Sequence, residues 1–125
     1  MNGTNRTAWG RRGEDSAAAW LALRGYRIVE RNARAPFGEI DAVAIHAGFL
    51  CLIEIKARRS LRYGLPEEGV TPQKRRRLVR LANWYLQRNP GFQSMPVRFD
   101  VVSLLLGPDG APVETRLIQS AFDAS

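Results

Sequence analysis

Two apolar stretches, G-E-I-D-A-V-A-I-H at 38–46 and F-L-C-L-I-E-I-K-A at 49–57, flank Ala47-Gly48. A two-residue link containing glycine between such stretches predicts the two arms of one tight hairpin. With Ala47-Gly48 as the loop, His46 opposes Phe49, Asp41 opposes Glu54 and Glu39 opposes Lys56. Side chains alternate along a strand, so Glu54 and Lys56 share a face. Upstream, 10–24 reads as a helix: Ala17 to Leu23 is strongly helix-favouring and Gly25 is a stop signal. Residues 1–9 are polar and read as a loose, flexible tail, with 10–125 as one domain. Residues 26–32 predict a first strand, and Pro36-Phe37-Gly38 punctuates before the hairpin. Residues 58–70 read as a basic loop. Thr71 and Pro72 form a helix start, N-cap then proline, for a helix to about Arg88 that Asn89-Pro90-Gly91 ends. Residues 97–106 predict a strand, 107–111 a turn and 113–119 a short last strand. The order α-β-β-β-α-β-β describes an α/β fold with a mixed sheet and helices packed on it.

The pattern leaves polar residues where strands should be apolar. Asp41 and Glu54 interrupt their strands, and the expected register sets them opposite each other. Facing carboxylates repel and destabilise a sheet. A divalent cation such as Mg²⁺ offsets that repulsion, since it takes carboxylate oxygens and water. The competing reading is a polar strand end, with either acid paired to Lys56 or a nearby arginine. Glu14 shares a helical stripe with Ala17, Ala18 and Leu21. It is a candidate site acid or simply an acid favoured near a helix N-terminus, a role open to Asp15 as well. Glu39 shares the face of Asp41 and is a partner for Lys56. Asp100 reads as structural, an ion-pair partner for an arginine.

Charge changes the picture next. Over 125 residues the formal net charge is +7 and the pI about 10.7, which favours a polyanionic partner, nucleic acid before a membrane surface. Of 19 basic residues only Lys56 and Lys74 are lysine. Arginine suits phosphate because its planar fork makes paired hydrogen bonds; lysine is a point charge whose pKa shifts readily. Lys56 could orient or help deprotonate a water, or hold charge on a phosphate. Lys56, Arg58, Arg59 and Arg62 lead out of the strand, and Lys74, Arg75, Arg76, Arg77 and Arg80 crowd the next helix. Positive charge there opposes the helix dipole, so an external anion explains it better than local stability. A solvated face accounts for some of these residues, because Leu78, Leu81, Ala82 and Tyr85 mark the buried stripe. Trp9, Trp20 and Trp84 read as packing residues and His46 as a surface residue. Cys51 is the only cysteine. It excludes an internal disulfide, and with one histidine beside it a structural zinc site is not supported. No stretch reaches the roughly 20 apolar residues of a membrane span, and the first residues lack a signal peptide's apolar core. A cytoplasmic location is the expectation.

Asp41 followed by Glu54-Ile55-Lys56 resembles the D…(D/E)-x-K signature of restriction-endonuclease-like nucleases. G-R-R-G-E-D at 10–15, R-G-Y-R-I-V-E-R-N at 24–32, G-E-I-D at 38–41, I-E-I-K-A-R-R at 53–59, V-T-P-Q-K-R-R-R-L at 70–78 and R-F-D-V-V at 98–102 come in order. Together they resemble the YraN-like family of small bacterial proteins, grouped by fold with archaeal Holliday-junction resolvases. The resemblance implies a restriction-endonuclease-like core. It implies Glu14, Asp41 and Glu54 as ligands of Mg²⁺ or Mn²⁺, and Lys56 as the catalytic lysine. Gln73 and Lys74 match a Q-K pair found beside related active sites. With Arg58, Arg59, Arg75 and Arg76 these are the expected nucleic-acid contacts. The expected activity is endonucleolytic cleavage of DNA, selective for branched, flapped or single-stranded structure, in a protein that could act as a homodimer. The alternatives are a non-catalytic nucleic-acid-binding protein on a nuclease fold, and an interaction protein whose basic face meets an acidic protein or membrane.

Overall fold

The computed structural model describes residues 2–59 and 71–120, with side chains from Gly13 onward in the first helix. Helix α1 (Asn2–Leu23) precedes β1 (Arg27–Ala35), β2 (Gly38–His46) and β3 (Phe49–Arg58). Helix α2 (Pro72–Arg88), a short 3₁₀ turn (Pro90–Phe92), β4 (Val97–Leu106) and β5 (Pro112–Ile118) follow. The α-β-β-β-α-β-β order is the one the pattern predicts. The first helix begins at Asn2 rather than near residue 10. No proline stands in 2–9, and once the Ala-rich segment nucleates a helix, extension is far easier than starting it. The basic loop lies outside the described residues except for Arg58, which ends β3, and Arg59. Arg62 of the basic segment and the side chain of Trp9 also lie outside them.

The five strands form one sheet in the order β1-β2-β3-β4-β5. All neighbours are antiparallel except β3 and β4, which run parallel. A parallel pair needs a crossover connection, and α2 lies within it. The strands alternate between two apolar clusters. Leu50 and Leu52 pack with Leu81, Ala82 and Tyr85 of α2. Cys51 and Ile53 pack with Ala17 and Leu21 of α1. The helices therefore cover opposite faces, giving an α/β/α sandwich consistent with a nuclease-like core. Cys51 is a buried core residue, its thiol pushed up to about 12, chiefly by burial.

Local chemistry fixes the pieces that matter for the site. Ala47 and Gly48 both have positive φ, 51° and 82°, as a twisted two-residue hairpin requires. The pairs run from His46↔Phe49 to Ala42↔Ile53, in the expected register. Thr71 caps α2 by accepting the Lys74 N–H at 3.1 Å, and Pro72 opens the helix. At Gly13 a Cβ would meet Ala57 Cβ at 3.4 Å, so α1 approaches β3 closely one residue before Glu14. Among the described residues no helix is long and apolar enough to cross a membrane.

Candidate functional site

The β2–β3 ladder stops at Ala42↔Ile53, one step short of Asp41 and Glu54. The expected opposition of these two acids is thus not a sheet pair. Instead the Ile55 N–H donates to Asp41 Oδ2 at 2.7 Å, a side chain taking the place of the partner strand's carbonyl. Alternation along β2 also breaks here. Ala42 and Ala44 belong to the α1-side cluster, yet Ile40 packs in the α2-side one. On β1, Asn32 takes a positive φ of 54° between the pairs Arg31↔Ala42 and Ala33↔Ile40. Asp41 therefore stands at a fork in the sheet, reachable from both faces.

From the α1 side Glu14 arrives, one turn before Ala17. Carboxylate oxygens of Glu14, Glu39 and Asp41 lie within 4.8 Å of one another. The Asn32 amide nitrogen, oriented by these neighbours, donates to Glu39 Oε1 at 2.8 Å and to Glu14 Oε1 at 3.2 Å. Glu39 does not pair with Lys56; it faces Arg34 at 3.5 Å and the two acids. Lys56 instead sits beside Ser103 of the parallel strand β4.

Glu54 stands on the α2 side. Its Oε1 lies 2.6 Å from Lys74 Nζ. Its Oε2 is buried and has no hydrogen-bond partner among the described residues. A cleft of about 210 Å³ runs past Glu39, Asp41, Glu54, Lys74 and Arg77. A buried carboxylate oxygen without a donor is costly, and a cation in this cleft would satisfy it.

The electrostatics agree with crowded acids. Asp41 is pushed up to about 6, first by burial, against the Ile55 hydrogen bond, and then by Glu14, Glu54 and Glu39. Glu14 is raised by burial, with Arg31 opposing and Glu39 and Asp15 adding to it. Lys56 is lowered by burial; Glu54 opposes that shift and Lys74 reinforces it. Hard oxygen donors of this kind could hold a divalent cation, and Glu14, Glu39 and Asp41 are the residues close enough together to share one.

Of the expected site residues, the fold brings Glu14 and Asp41 together and adds Glu39, while Glu54 is held by Lys74. Pattern reading did not single out Asn32. Its only sequence signal is a turn-favouring residue inside a strand. A second groove of about 600 Å³ adjoins the cleft along α2, lined by Phe37, Thr71, Gln73, Lys74, Arg76, Arg77 and Arg80. Lys74 and Arg77 line both.

Asp100 is 1% exposed and belongs elsewhere. Arg98 Nη2 donates to its Oδ2 at 2.9 Å, the Tyr26 hydroxyl donates to the same oxygen at 2.8 Å, and the Ser120 N–H donates to Oδ1 at 3.0 Å. It is the arginine partner the sequence implied. His46 is not a plain surface residue: its ring stacks on Tyr26 with centroids 4.1 Å apart, and its Nδ1 lies 2.9 Å from Arg98 Nη2. Trp20 and Trp84 pack against the two clusters.

Residues 13–104 match the uncharacterised protein family UPF0102. A UPF0102 protein of Symbiobacterium thermophilum is 51% identical over 115 residues, covering 92% of this chain and 96% of its own length. One from Renibacterium salmoninarum is 52% identical over 101 residues, 81% of this chain and 84% of the relative. One from Syntrophus aciditrophicus is 42% identical over 120 residues, 96% and 92% respectively. The motifs that resemble the YraN-like family thus sit in a chain that belongs to UPF0102, the YraN family.

Proposed function

We propose that this protein is a metal-dependent endonuclease that hydrolyses DNA phosphodiester bonds and selects its substrate by structure. The observation that carries the reading is the fork at Asp41. Three further carboxylates, Glu14, Glu39 and Glu54, act on this group, two lysines stand beside Glu54, and an arginine-rich groove adjoins the cleft. Glu14, Asp41 and Glu54 are the proposed ligands, with Glu39 close enough to join them. A bound Mg²⁺ or Mn²⁺ supplies Lewis acidity, lowering the pKa of a water and neutralising phosphate charge.

The chain's own groups do the rest. The Ile55 N–H fixes one Asp41 oxygen and so orients the carboxylate. Asn32 holds Glu14 and Glu39 in one orientation. Lys56, its ammonium destabilised by burial, positions the attacking water and stabilises charge on the scissile phosphate. Arg58, Arg59, Gln73, Arg75 and Arg76 hold flanking phosphates. Such contacts set position rather than sequence, so selectivity follows DNA shape, as in branched, flapped or single-stranded forms.

One observation favours a second reading, a non-catalytic nucleic-acid-binding protein. Lys74 Nζ lies 2.6 Å from Glu54 Oε1, so a side chain of the protein offsets the charge of one expected ligand. The test is cleavage of labelled single-stranded, duplex, flap and four-way-junction DNA with EDTA, Mg²⁺ or Mn²⁺, beside Asp41→Ala and Lys56→Ala. Metal-dependent cutting lost in both variants is the expected result. No cutting, with all three proteins binding DNA equally, would leave the binding module.

A further inference from the structure

The groove along α2 is built differently from the cleft it adjoins. Gln73, Arg76, Arg77 and Arg80 recur at three and four residues, so they form one stripe on the helix surface. At 1.5 Å per residue the stripe runs about 10 Å, enough to follow two or three phosphates of one strand. Among the described residues no carboxylate lines the groove, and the first turn of α2 holds no acid. Arginines this close repel one another and oppose the helix dipole. Among the described residues no anion within the groove offsets that repulsion, whereas a line of phosphates would.

One end of the groove is braced by a ring. The Arg80 guanidinium lies 4.0 Å from the centre of the Phe37 ring, at the turn between β1 and β2. A stacked guanidinium loses less freedom when it grips an anion, so more of the contact shows as affinity. The other end meets the carboxylate cleft through Lys74 and Arg77. A strand laid along the groove is therefore delivered to Asp41 and Glu54.

We infer that the Phe37–Arg80 end of this groove, with Arg76 and Arg77, is a dedicated subsite for the sugar–phosphate backbone of a DNA strand entering the carboxylate cleft. The inference rests on the nuclease reading for its direction but not for its binding. Phe37 becomes a binding residue that the sequence motifs do not mark, and Arg77 and Arg80, members of the basic cluster on α2, gain a defined role. The subsite grips a continuous backbone rather than a lone anion, because its cations are spread along the helix and do not converge on one point.

The test is fluorescence anisotropy with a labelled single-stranded oligonucleotide across a salt series, in EDTA so that no cleavage occurs. The proteins are wild type, Arg76→Ala/Arg77→Ala/Arg80→Ala, and Arg27→Ala/Arg116→Ala. The last pair removes charge far from the groove. Circular dichroism confirms that each variant is folded, and Arg80→Lys keeps the charge but not the planar stack. The groove variant should bind about tenfold or more weakly, and its log–log salt slope should fall by about 2, three contacts at roughly 0.7 each. The distant pair should change the slope little, and Arg80→Lys should fall between. Equal losses in the groove variant and the distant pair would overturn the subsite in favour of diffuse charge. Displacement of the oligonucleotide by inorganic phosphate or polyglutamate as readily as by unlabelled DNA would also overturn it, in favour of a single-anion or acidic-protein site. Loss of binding in the groove variant of a protein that cuts nothing would keep the subsite and sink the nuclease. Normal binding by the groove variant of a protein that does cut would do the reverse.

Discussion

Asp41→Asn should make this protein more stable at neutral pH. The carboxyl titrates at about 6 in the fold against an ordinary value of 3.8, with burial as the main cause. A raised carboxyl pKa means that the folded state holds its proton after the unfolded chain has released it. Stability then falls as pH rises from about 4 to about 6, and the penalty is constant above that. Two pKa units correspond to on the order of 3 kcal/mol against the charged fold. At pH 5 roughly half of that applies. Asparagine removes the charge and can still accept the Ile55 N–H, though the weaker neutral bond gives back about 1 kcal/mol. The net gain is about 2 kcal/mol at pH 7.5 and under about 1 at pH 5. For a chain of this size that is roughly 8 °C in Tm at the higher pH. The assay is thermal unfolding of both proteins in EDTA at the two pH values, repeated with Mn²⁺. Mn²⁺ should raise the wild-type Tm and leave the variant nearly unmoved. A variant no more stable than wild type at pH 7.5, with parallel pH profiles, would refute the claim that Asp41 is held charged against its surroundings.

The Arg98–Asp100 network gives a contrasting case. Asp100→Asn leaves the Arg98 guanidinium, whose side chain is 10% exposed, without its counter-charge, and should cost about 3–5 kcal/mol by urea unfolding, with Tyr26→Phe costing about 1–2. Lys74→Met should remove the Glu54 counter-charge and lower Tm in EDTA by a few degrees, with Mn²⁺ restoring more in the variant than it adds to wild type; equal Mn²⁺ shifts would count against a metal near Glu54. Gly48→Val forces a β-branched residue to a φ of 82° and should cost about 1–2 kcal/mol, seen as a lower urea midpoint with DNA binding intact.

The parts of the fold that were legible are those set by short-range rules. Ala47-Gly48 fixed the hairpin register because strand pairing counts outward from the loop, and Thr71-Pro72 fixed the start of α2 because capping is local. The Asp100 pairing was legible because a lone acid in an apolar run must find a cation. The site itself depends on two departures from regularity that no periodicity announces. Strict alternation places Asp41 opposite Glu54. The ladder ends before that pair, and Ile40 turns to the other face. Asn32 sits in a left-handed conformation that only its side chain's polarity hints at. Glu39 therefore joins Glu14 and Asp41 instead of meeting Lys56. His46 likewise ends a hairpin arm, a position that reads as exposed, and is held by the Tyr26 ring and the Arg98 guanidinium, both distant in sequence.

Lys74 shows why the irregular fork and the regular helix have to be considered together. A sheet that ends in facing acids is unstable, and separating the acids between two faces relieves part of that repulsion. The part that stays with Glu54 is met by a lysine from the first turns of α2, where positive charge is otherwise unfavourable. Each feature compensates the other: the helix cation offsets a strand anion, and the strand anion offsets a misplaced helix cation. The compensation is incomplete, because Glu54 Oε2 and the raised Asp41 keep an excess of negative character in the cleft while Arg76, Arg77 and Arg80 keep an excess of positive character beside it. Charges of opposite sign held apart by the scaffold, rather than allowed to neutralise one another, are the arrangement that a cation and a phosphate chain would each complete.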